Sequence, residues 1–408
     1  MTALVFGGAL MACFGEGPPA PPPPEPPETP VPIDPNPWPT GCEIEDAAVH
    51  PTRPWLAVAC TNHGEERGAV LVFDTAAGTI HWVTELEGYV GWSDDEVLRW
   101  HPDGERLVTN VDTNGLALLV NGELIGRAHP DETRDHGVRV VWVGDRLYAD
   151  TRALFEIQPG DRFEFDELDA PRIGNMGWNA AIQAVVGQNE NRIVAYDPVR
   201  ERVVYDAPLD AYGDRGQVSF SPDRRWAVRE QSVSKAIPGE RYLDVRDQLL
   251  FVNGDTGKVH GLRDPSSPVL HATRWGASGV LAVVSKVHES GGPGHGRRLE
   301  VFRDGERSWT SDLGEREIRR VSGPGGFTGM AWSPSGALLA VLLDRDEVRV
   351  LDRDSGAVRA TFTAPGPDRA PLAWTDETHL VRVRDTFVAA WTLDGRKVAE
   401  WKPDPGGK

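Results

Sequence analysis

Residues 328–362 read TGMAWSPSGALLAVLLDRDEVRVLDRDSGAVRATF, and this stretch limits the fold more than any other part of the chain. It contains four short runs rich in apolar and β-branched residues: GMAWSP, ALLAVLL, EVRVLD and AVRATF. Turn residues separate these runs, first at 333–336 (SPSG) and later at 353–356 (RDSG). The stretch therefore predicts four antiparallel strands joined by tight turns.

The same pattern recurs along the chain, in units that begin near Ala47, Val97, Val140, Gly177, Gln217, Thr273, Thr328 and Leu372. A four-stranded unit of roughly 40 to 45 residues is one blade of a β-propeller. When the first strands are aligned at their ends, all units but the first carry an aromatic residue there, at Trp100, Trp142, Trp178, Phe220, Trp275, Trp332 and Trp374. The first unit has Val49-His50 instead. This register predicts that the rings pack between blades.

These repeats resemble WD40-type propeller repeats and their bacterial TolB-like relatives. The resemblance lies in the turns at 101–104, 221–224 and 333–336 and in the strand–turn runs at 70–78 and 348–356. The Gly-His and Trp-Asp dipeptides of WD40 repeats are missing, which points to the divergent bacterial type. The resemblance implies an all-β chain with a single β-propeller over residues 41–403. We expect eight four-stranded blades, with seven as the alternative.

The start of the chain predicts export and lipid anchoring. An apolar run of signal-peptide length ends at Cys13. It resembles a bacterial lipobox, whose cysteine is lipidated, although Met11 replaces the usual small residue and no Lys or Arg precedes the run. We therefore expect residues 1–12 to be a signal peptide and Cys13 to be the anchor. The alternative is an uncleaved apolar tail with an incidental cysteine.

A proline-rich segment follows, since thirteen of the 22 residues from Pro18 to Pro39 are proline. Proline fixes φ and lacks an amide donor, so the segment can form neither helix nor sheet. We predict a disordered, extended linker over residues 13–40, able to reach about 70 Å at ~3.1 Å per residue. It would hold the propeller away from the membrane. A proline-rich ligand for SH3-type domains is the alternative reading.

Two of the three cysteines, Cys42 and Cys60, lie 18 residues apart at the start of the first repeat. Residues 43–50 and 55–60 should form a hairpin that turns at 51–54, which puts Cys42 nearly opposite Cys60. Cross-strand neighbours have Cβ atoms ~4.5 to 5.5 Å apart, close to disulfide geometry. An exported protein would oxidise such a pair, and we predict this disulfide.

Charge and motifs exclude several kinds of function. A net charge of −19 argues against nucleic acid and against electrostatic adsorption to anionic lipid. The sequence has no GxSxG, HExxH, P-loop or zinc-ligand spacing, so we expect no catalytic residues, metal or cofactor. The first strands end in polar residues without a carboxylate among them, at His50, Arg99, Asn179, Arg274 and Thr375. This favours binding over a propeller enzyme of lactonase, quinoprotein or glycosidase type, which stays as an alternative.

Three repeats expand the connection between their second and third strands, at 61–68, 230–247 and 286–298. Loops carry function more often than the scaffold does. The candidate binding residues are His63, Lys235, Arg241, His288, Glu289, His295, Arg297 and Arg298. The third segment is a basic island that could bind an acidic partner, or a metal through His288 and His295, or be an inert insertion. We expect a membrane-tethered, non-catalytic module of the bacterial cell envelope, at the outer membrane or the periplasmic face. Its partner would be a protein or an envelope polymer. A cytosolic scaffold is the further alternative.

Overall fold

A computed structural model describes residues 38–90, 98–112, 115–128, 139–150, 154–158, 164–209, 218–236, 243–265, 269–276, 279–288, 295–314, 328–344, 346–367 and 370–402. These residues form eight sheets of four antiparallel strands each. The predicted eight-bladed β-propeller is confirmed, and the seven-bladed alternative is wrong. The described residues contain no helix, and hence none that could cross a membrane.

The first four blades contain β1 to β16, in chain order β1 (Glu43–Val49), β2 (Trp55–Asn62), β3 (Arg67–Asp74), β4 (Thr79–Glu87), β5 (Arg99–Trp100), β6 (Arg106–Val111), β7 (Gly115–Val120), β8 (Glu123–Ala128), β9 (Arg139–Val143), β10 (Arg146–Asp150), β11 (Leu154–Gln158), β12 (Glu164–Glu167), β13 (Gly174–Asn179), β14 (Ala184–Asn189), β15 (Arg192–Asp197) and β16 (Arg202–Pro208).

The last four blades contain β17 to β32, in chain order β17 (Val218–Phe220), β18 (Trp226–Ala236), β19 (Leu243–Asn253), β20 (Val259–Arg263), β21 (Val269–Trp275), β22 (Val280–His288), β23 (His295–Arg303), β24 (Glu306–Gly314), β25 (Met330–Trp332), β26 (Leu338–Leu343), β27 (Glu347–Asp352), β28 (Val358–Thr363), β29 (Leu372–Trp374), β30 (His379–Arg384), β31 (Phe387–Thr392) and β32 (Lys397–Trp401).

Every blade is made from one contiguous segment, so its strands pair in chain order from the inner strand to the outer one. The core consists of eight hydrophobic clusters, each formed by two neighbouring blades. The cluster between blades 8 and 1 closes the ring, where Val381 and Val388 pack with Leu56 and Val58. Closure therefore depends on side-chain packing between blades rather than on a strand shared by the two ends of the propeller.

The aromatic register found in the sequence has a structural cause beyond packing. Several of these tryptophans donate their indole N–H to the inner strand of the preceding blade. Trp374 Nε1 donates to the Ala331 carbonyl (2.9 Å), Trp332 Nε1 to the Arg274 carbonyl (3.1 Å) and Trp100 Nε1 to the Ala48 carbonyl (3.3 Å). Each acceptor residue directly precedes the end of its own inner strand. The repeated contact fixes how one blade is placed on the next.

Trp142 allows the strength of this contact to be measured. Its indole nitrogen is buried without a hydrogen-bond partner among the described residues, whereas that of Trp374 is bonded. We expect Trp374→Phe to lower the free energy of unfolding by about 1 kcal/mol more than Trp142→Phe does. Urea unfolding of the two variants measures the difference. Equal losses would show that the indole hydrogen bond contributes nothing beyond the ring's packing.

The outer strands carry a second repeated feature. In seven blades the ladder between the third and fourth strands shifts by one residue, which leaves an extra residue in the outer strand. The residues passed over are His81, Ile125, Val204, His260, Ser308, Arg359 and Val398. Such β-bulges discourage an edge strand from pairing with another chain. The outer rim is therefore poorly suited to binding a partner by strand addition.

The predicted disulfide is present between Cys42 and Cys60, with the two Cα atoms 5.4 Å apart. A bulge in β1 places Ile44 opposite Cys60 in the ladder. Cys42 therefore lies two residues before the residue that directly faces Cys60. Trp38 is buried beside the disulfide, and its Nε1 donates to the Cys42 carbonyl (3.2 Å). The packed part of the chain thus includes a residue of the predicted linker 13–40. The predicted signal peptide 1–12, Cys13 and residues 14–37 of the predicted linker lie outside the described residues.

Candidate interaction surface

The two longest hairpins belong to neighbouring blades, and the next longest, in blade 1, has strands of eight residues. In blade 5, β18 and β19 have 11 residues each, and in blade 6, β22 and β23 have nine each. The corresponding strands of blade 7 have six. The expectation of loops over 230–247 and 286–298 is wrong for most of those residues, because they continue the β-ladder. At ~3.4 Å per residue, the hairpins extend roughly 17 Å and 10 Å beyond that of blade 7.

Side-chain hydrogen bonds join blades 5 and 6 where the two hairpins leave the ring. Asp247 of β19 accepts a hydrogen bond at Oδ2 from the backbone N–H of Leu270 in blade 6 (2.8 Å). Thr273 Oγ1 donates to Glu230 Oε1 across the same boundary (2.7 Å). Ser232 Oγ donates to the other oxygen of the Asp247 carboxylate (2.5 Å). These contacts hold the blade 5 hairpin against blade 6, so the two hairpins leave the ring together on one face.

The blade 6 hairpin gathers the basic residues found in the sequence. His288 stands opposite His295 in the ladder, and Lys286 stands opposite Arg297. Arg297 is buried, with 6 % of its surface exposed, and Arg298 is half-buried. The role predicted for this basic island stays a prediction, but the ladder shows that both histidines belong to paired strands. This pairing fixes the backbone of both.

Several candidate residues are placed only in part. Lys235 lies opposite Asp244 in the blade 5 ladder. The structure gives no side-chain placement for Lys235, His288 or His295, and Arg241 and Glu289 lie outside the described residues. Among the described residues, no group of three or more His, Cys, Asp or Glu side chains could hold a metal ion.

Unsatisfied polar atoms concentrate where these hairpins leave the ring. Gln231 Oε1, Ser285 Oγ and both Nε and Nη1 of Arg297 are buried without a hydrogen-bond partner among the described residues. Buried polar groups are nearly always hydrogen-bonded, so such atoms need an explanation. The sequence did not single out Gln231 or Ser285. The strand pairing places both residues at the base of a hairpin, and their side chains are buried there.

His63 is not part of this surface. It lies in the turn between β2 and β3 of blade 1, and blade 1 is opposite blade 5 in a ring of eight. Its Nε2 is 2.9 Å from Glu45 Oε1 in the neighbouring inner strand. The structure therefore separates His63 from the other candidates.

The polar residues at the ends of the inner strands mostly connect neighbouring blades. His50 Nε2 lies 2.9 Å from the Gly104 carbonyl of blade 2, and Asn179 Nδ2 donates to Asp255 Oδ1 of blade 5 (2.8 Å). Thr375 Oγ1 lies 2.6 Å from Thr75 Oγ1, across the closure of the ring. The side chains of His50, Asn179 and Thr375 therefore join neighbouring blades.

The pH dependence of stability should report on the His50 contact. Nδ1 of His50 accepts hydrogen bonds from the backbone N–H groups of Thr52 (3.1 Å) and Arg53 (2.9 Å), so Nε2 carries the proton and donates to Gly104. Burial lowers the pKa of His50 below its usual 6.5, despite the opposing effect of the Gly104 carbonyl. The stabilisation is therefore present above about pH 6.5 and is lost as the pH falls through the lowered pKa.

At the equivalent position of blade 4, Asn179 donates a hydrogen bond to the next blade. His50→Asn is therefore a matched variant. We expect the native protein to lose more free energy of unfolding between pH 7 and pH 5 than His50→Asn does. Urea titrations at several pH values measure this difference. Identical pH profiles would contradict the assigned role of a neutral His50.

A separate cavity of about 600 Å³ lies between the blade 7–8 connection and blade 8. Its walls are Pro365, Gly366, Pro367, Thr386, Phe387, Glu400 and Lys402. Lys402 lies near the Phe387 ring and forms an ion pair with Glu400 at the same site. The cavity contains none of the residues singled out in the sequence.

Two of the solved structures similar to this chain are described as β-propellers. The Dos1 propeller is 13 % identical, with a TM-score of 0.56, and the match covers 87 % of this chain and 93 % of that one. The computationally designed Ika8 protein is 11 % identical, with a TM-score of 0.51 and coverage of 89 % and 96 %. The β-propeller domain of Cps50 (Swd1) from Myceliophteria thermophila is 10 % identical, with a TM-score of 0.43 and coverage of 88 % and 97 %. No protein-family model and no curated protein matches the chain. At these identities, the likeness extends to the fold alone.

Proposed function

We propose that this protein is a membrane-tethered, non-catalytic binding module of the bacterial cell envelope. In this proposal Cys13 carries the lipid and the proline-rich segment is the spacer. The propeller binds a protein or an envelope polymer through the hairpins of blades 5 and 6. The observation that carries the proposal is the pair of neighbouring hairpins that extend beyond the ring on one face.

Three features support binding through this face. The outer strands of seven blades are bulged, so the rim discourages strand addition. The polar residues His50, Asn179 and Thr375 are engaged in contacts between blades. The hairpins, by contrast, extend beyond the ring from a base fixed by Asp247 and Glu230. A rigid base with projecting strands is a good scaffold for recognition.

Shortened hairpins test the proposal. In one variant, the blade 5 and blade 6 hairpins are cut to the length of the blade 7 hairpin and closed with Asn-Gly turns. In the matched control, the blade 1 turn at 63–66 is replaced by Asn-Gly. Partners cross-linked to the full chain in envelope fractions are compared by quantitative mass spectrometry. We expect the shortened variant to lose specific partners that the control keeps. Identical sets of partners for both variants would contradict a role for these hairpins.

A further inference from the structure

Arg297 is the most unusual side chain on the proposed binding surface. Only 6 % of its surface is exposed, and its Nε and Nη1 have no hydrogen-bond partner in the described part of the chain. A buried guanidinium is unfavourable unless an acceptor compensates it. The described residues do not supply an acceptor for these two nitrogens. An arginine held in this way can donate hydrogen bonds to an acceptor on another molecule.

The sheet is open at one position beside Arg297. Alternation along β23 places Arg297 on the same face as Leu299 and Val301, which pack against blade 7. Its ladder partner in β24 is Gly314, and a Cβ at Gly314 would meet no atom of the described residues within 4 Å. Cross-strand partners share a face of the sheet, so this open space lies beside Arg297. An incoming group would reach Arg297 from this side.

The charge of the hairpin selects the kind of ligand. Lys286 stands opposite Arg297 in the ladder, while the chain as a whole carries a net charge of −19. Guanidinium groups bind carboxylates and phosphates through charge-assisted hydrogen bonds. We propose that Arg297 is the centre of an oxyanion-binding site, which takes a carboxylate or phosphate group of the partner. This rests on the proposed function, because it names the chemistry that the same surface recognises.

Calorimetry on the full chain tests the site, with inorganic phosphate and acetate as probes at constant ionic strength. We expect at least one of the two anions to bind, and Arg297→Gln to weaken that binding at least tenfold. The matched control is Arg225→Gln, since Arg225 is an exposed arginine of blade 5 that pairs with Asp255. This control should bind the anion as the native protein does. Arg297→Lys keeps the charge without the planar fork and should bind more weakly than the native protein.

The outcomes separate the sources of the anion and the two proposals. Binding of phosphate alone points to phosphorylated groups, whereas binding of acetate points to acidic side chains. If neither anion binds, or if Arg297→Gln and Arg297→Lys both bind as tightly as the native protein, the oxyanion site is wrong. The proposed function would then be tested separately by the variant with shortened hairpins, because that test does not depend on Arg297.

Discussion

Replacing Arg382 with leucine should lower the free energy of unfolding by about 3 to 5 kcal/mol, since each buried carbonyl left without a donor costs about 1 to 3 kcal/mol. Arg382 is 1 % exposed and lies in β30 of blade 8. Its Nε donates to the Ala370 carbonyl (3.2 Å), its Nη2 to the Pro367 carbonyl (3.1 Å) and its Nη1 to Asp346 Oδ1 (3.0 Å) and the Ala364 carbonyl. One guanidinium thus satisfies three carbonyls of the connection between blades 7 and 8. Leucine would leave the buried Ala364 and Ala370 carbonyls without this donor, whereas the Pro367 carbonyl would still accept from the backbone N–H of Ala370 (3.1 Å).

Urea unfolding of Arg382→Leu measures this effect. The control is Arg225→Leu, because Arg225 is exposed and forms a surface ion pair that should contribute less than about 1 kcal/mol. Blade 5 has an arginine at the equivalent ladder position, Arg229, whose Nη1 donates to the Leu209 carbonyl of the preceding connection (3.0 Å). Arg229→Leu should therefore also lower the free energy of unfolding. If Arg382→Leu is no more destabilising than the control, the network does not hold the connection in place.

Removing the Cys42–Cys60 disulfide has the second largest expected effect, a loss of about 3 kcal/mol for a closed loop of this size. The disulfide joins β2 to the residues that enter β1, and both cysteines belong to the cluster between blades 1 and 8. The ring has no shared strand at this closure, so the covalent link holds the first strand where the ring would otherwise open. The loss should therefore concentrate in blades 1 and 8.

Hydrogen exchange on Cys42→Ser/Cys60→Ser measures where the loss occurs. We expect faster exchange in β1, β2 and β30 and unchanged exchange in β18 and β19 of blade 5. Reducing the native protein should reproduce the pattern, which controls for the substitutions themselves. Uniform acceleration in all blades would show that the disulfide stabilises the whole propeller rather than its closure.

The sequence predicted the architecture because the propeller repeats one local pattern. Each blade needs four short strands, and turn residues such as those at 333–336 mark their ends in the sequence. The eight repeat units gave the number of blades, and the aromatic register from Trp100 to Trp374 marked seven of them. The hairpin around 51–54 brought Cys42 and Cys60 close enough to predict their disulfide.

Other features could not be predicted from local pattern. The segments 230–247 and 286–298 contain charged residues and glycines that are typical of loops, yet most of them are paired strands. That pairing depends on contacts across the hairpin, such as the one between Ser232 and Asp247, rather than on propensity. The burial of Arg297 depends on the neighbouring blade, which no single repeat contains. The same holds for Arg382, whose acceptors lie in the connection from blade 7.

The mass of the full-length protein extracted from membranes of a lipoprotein-competent bacterium, with and without reductant, tests the tethered module most directly. We predict a chain that begins at Cys13 and carries acyl groups, and that gains two hydrogens on reduction as the Cys42–Cys60 bond opens. An intact, unlipidated chain with free thiols would contradict the tether and the oxidising compartment. A cytosolic scaffold would then be the better account of this propeller.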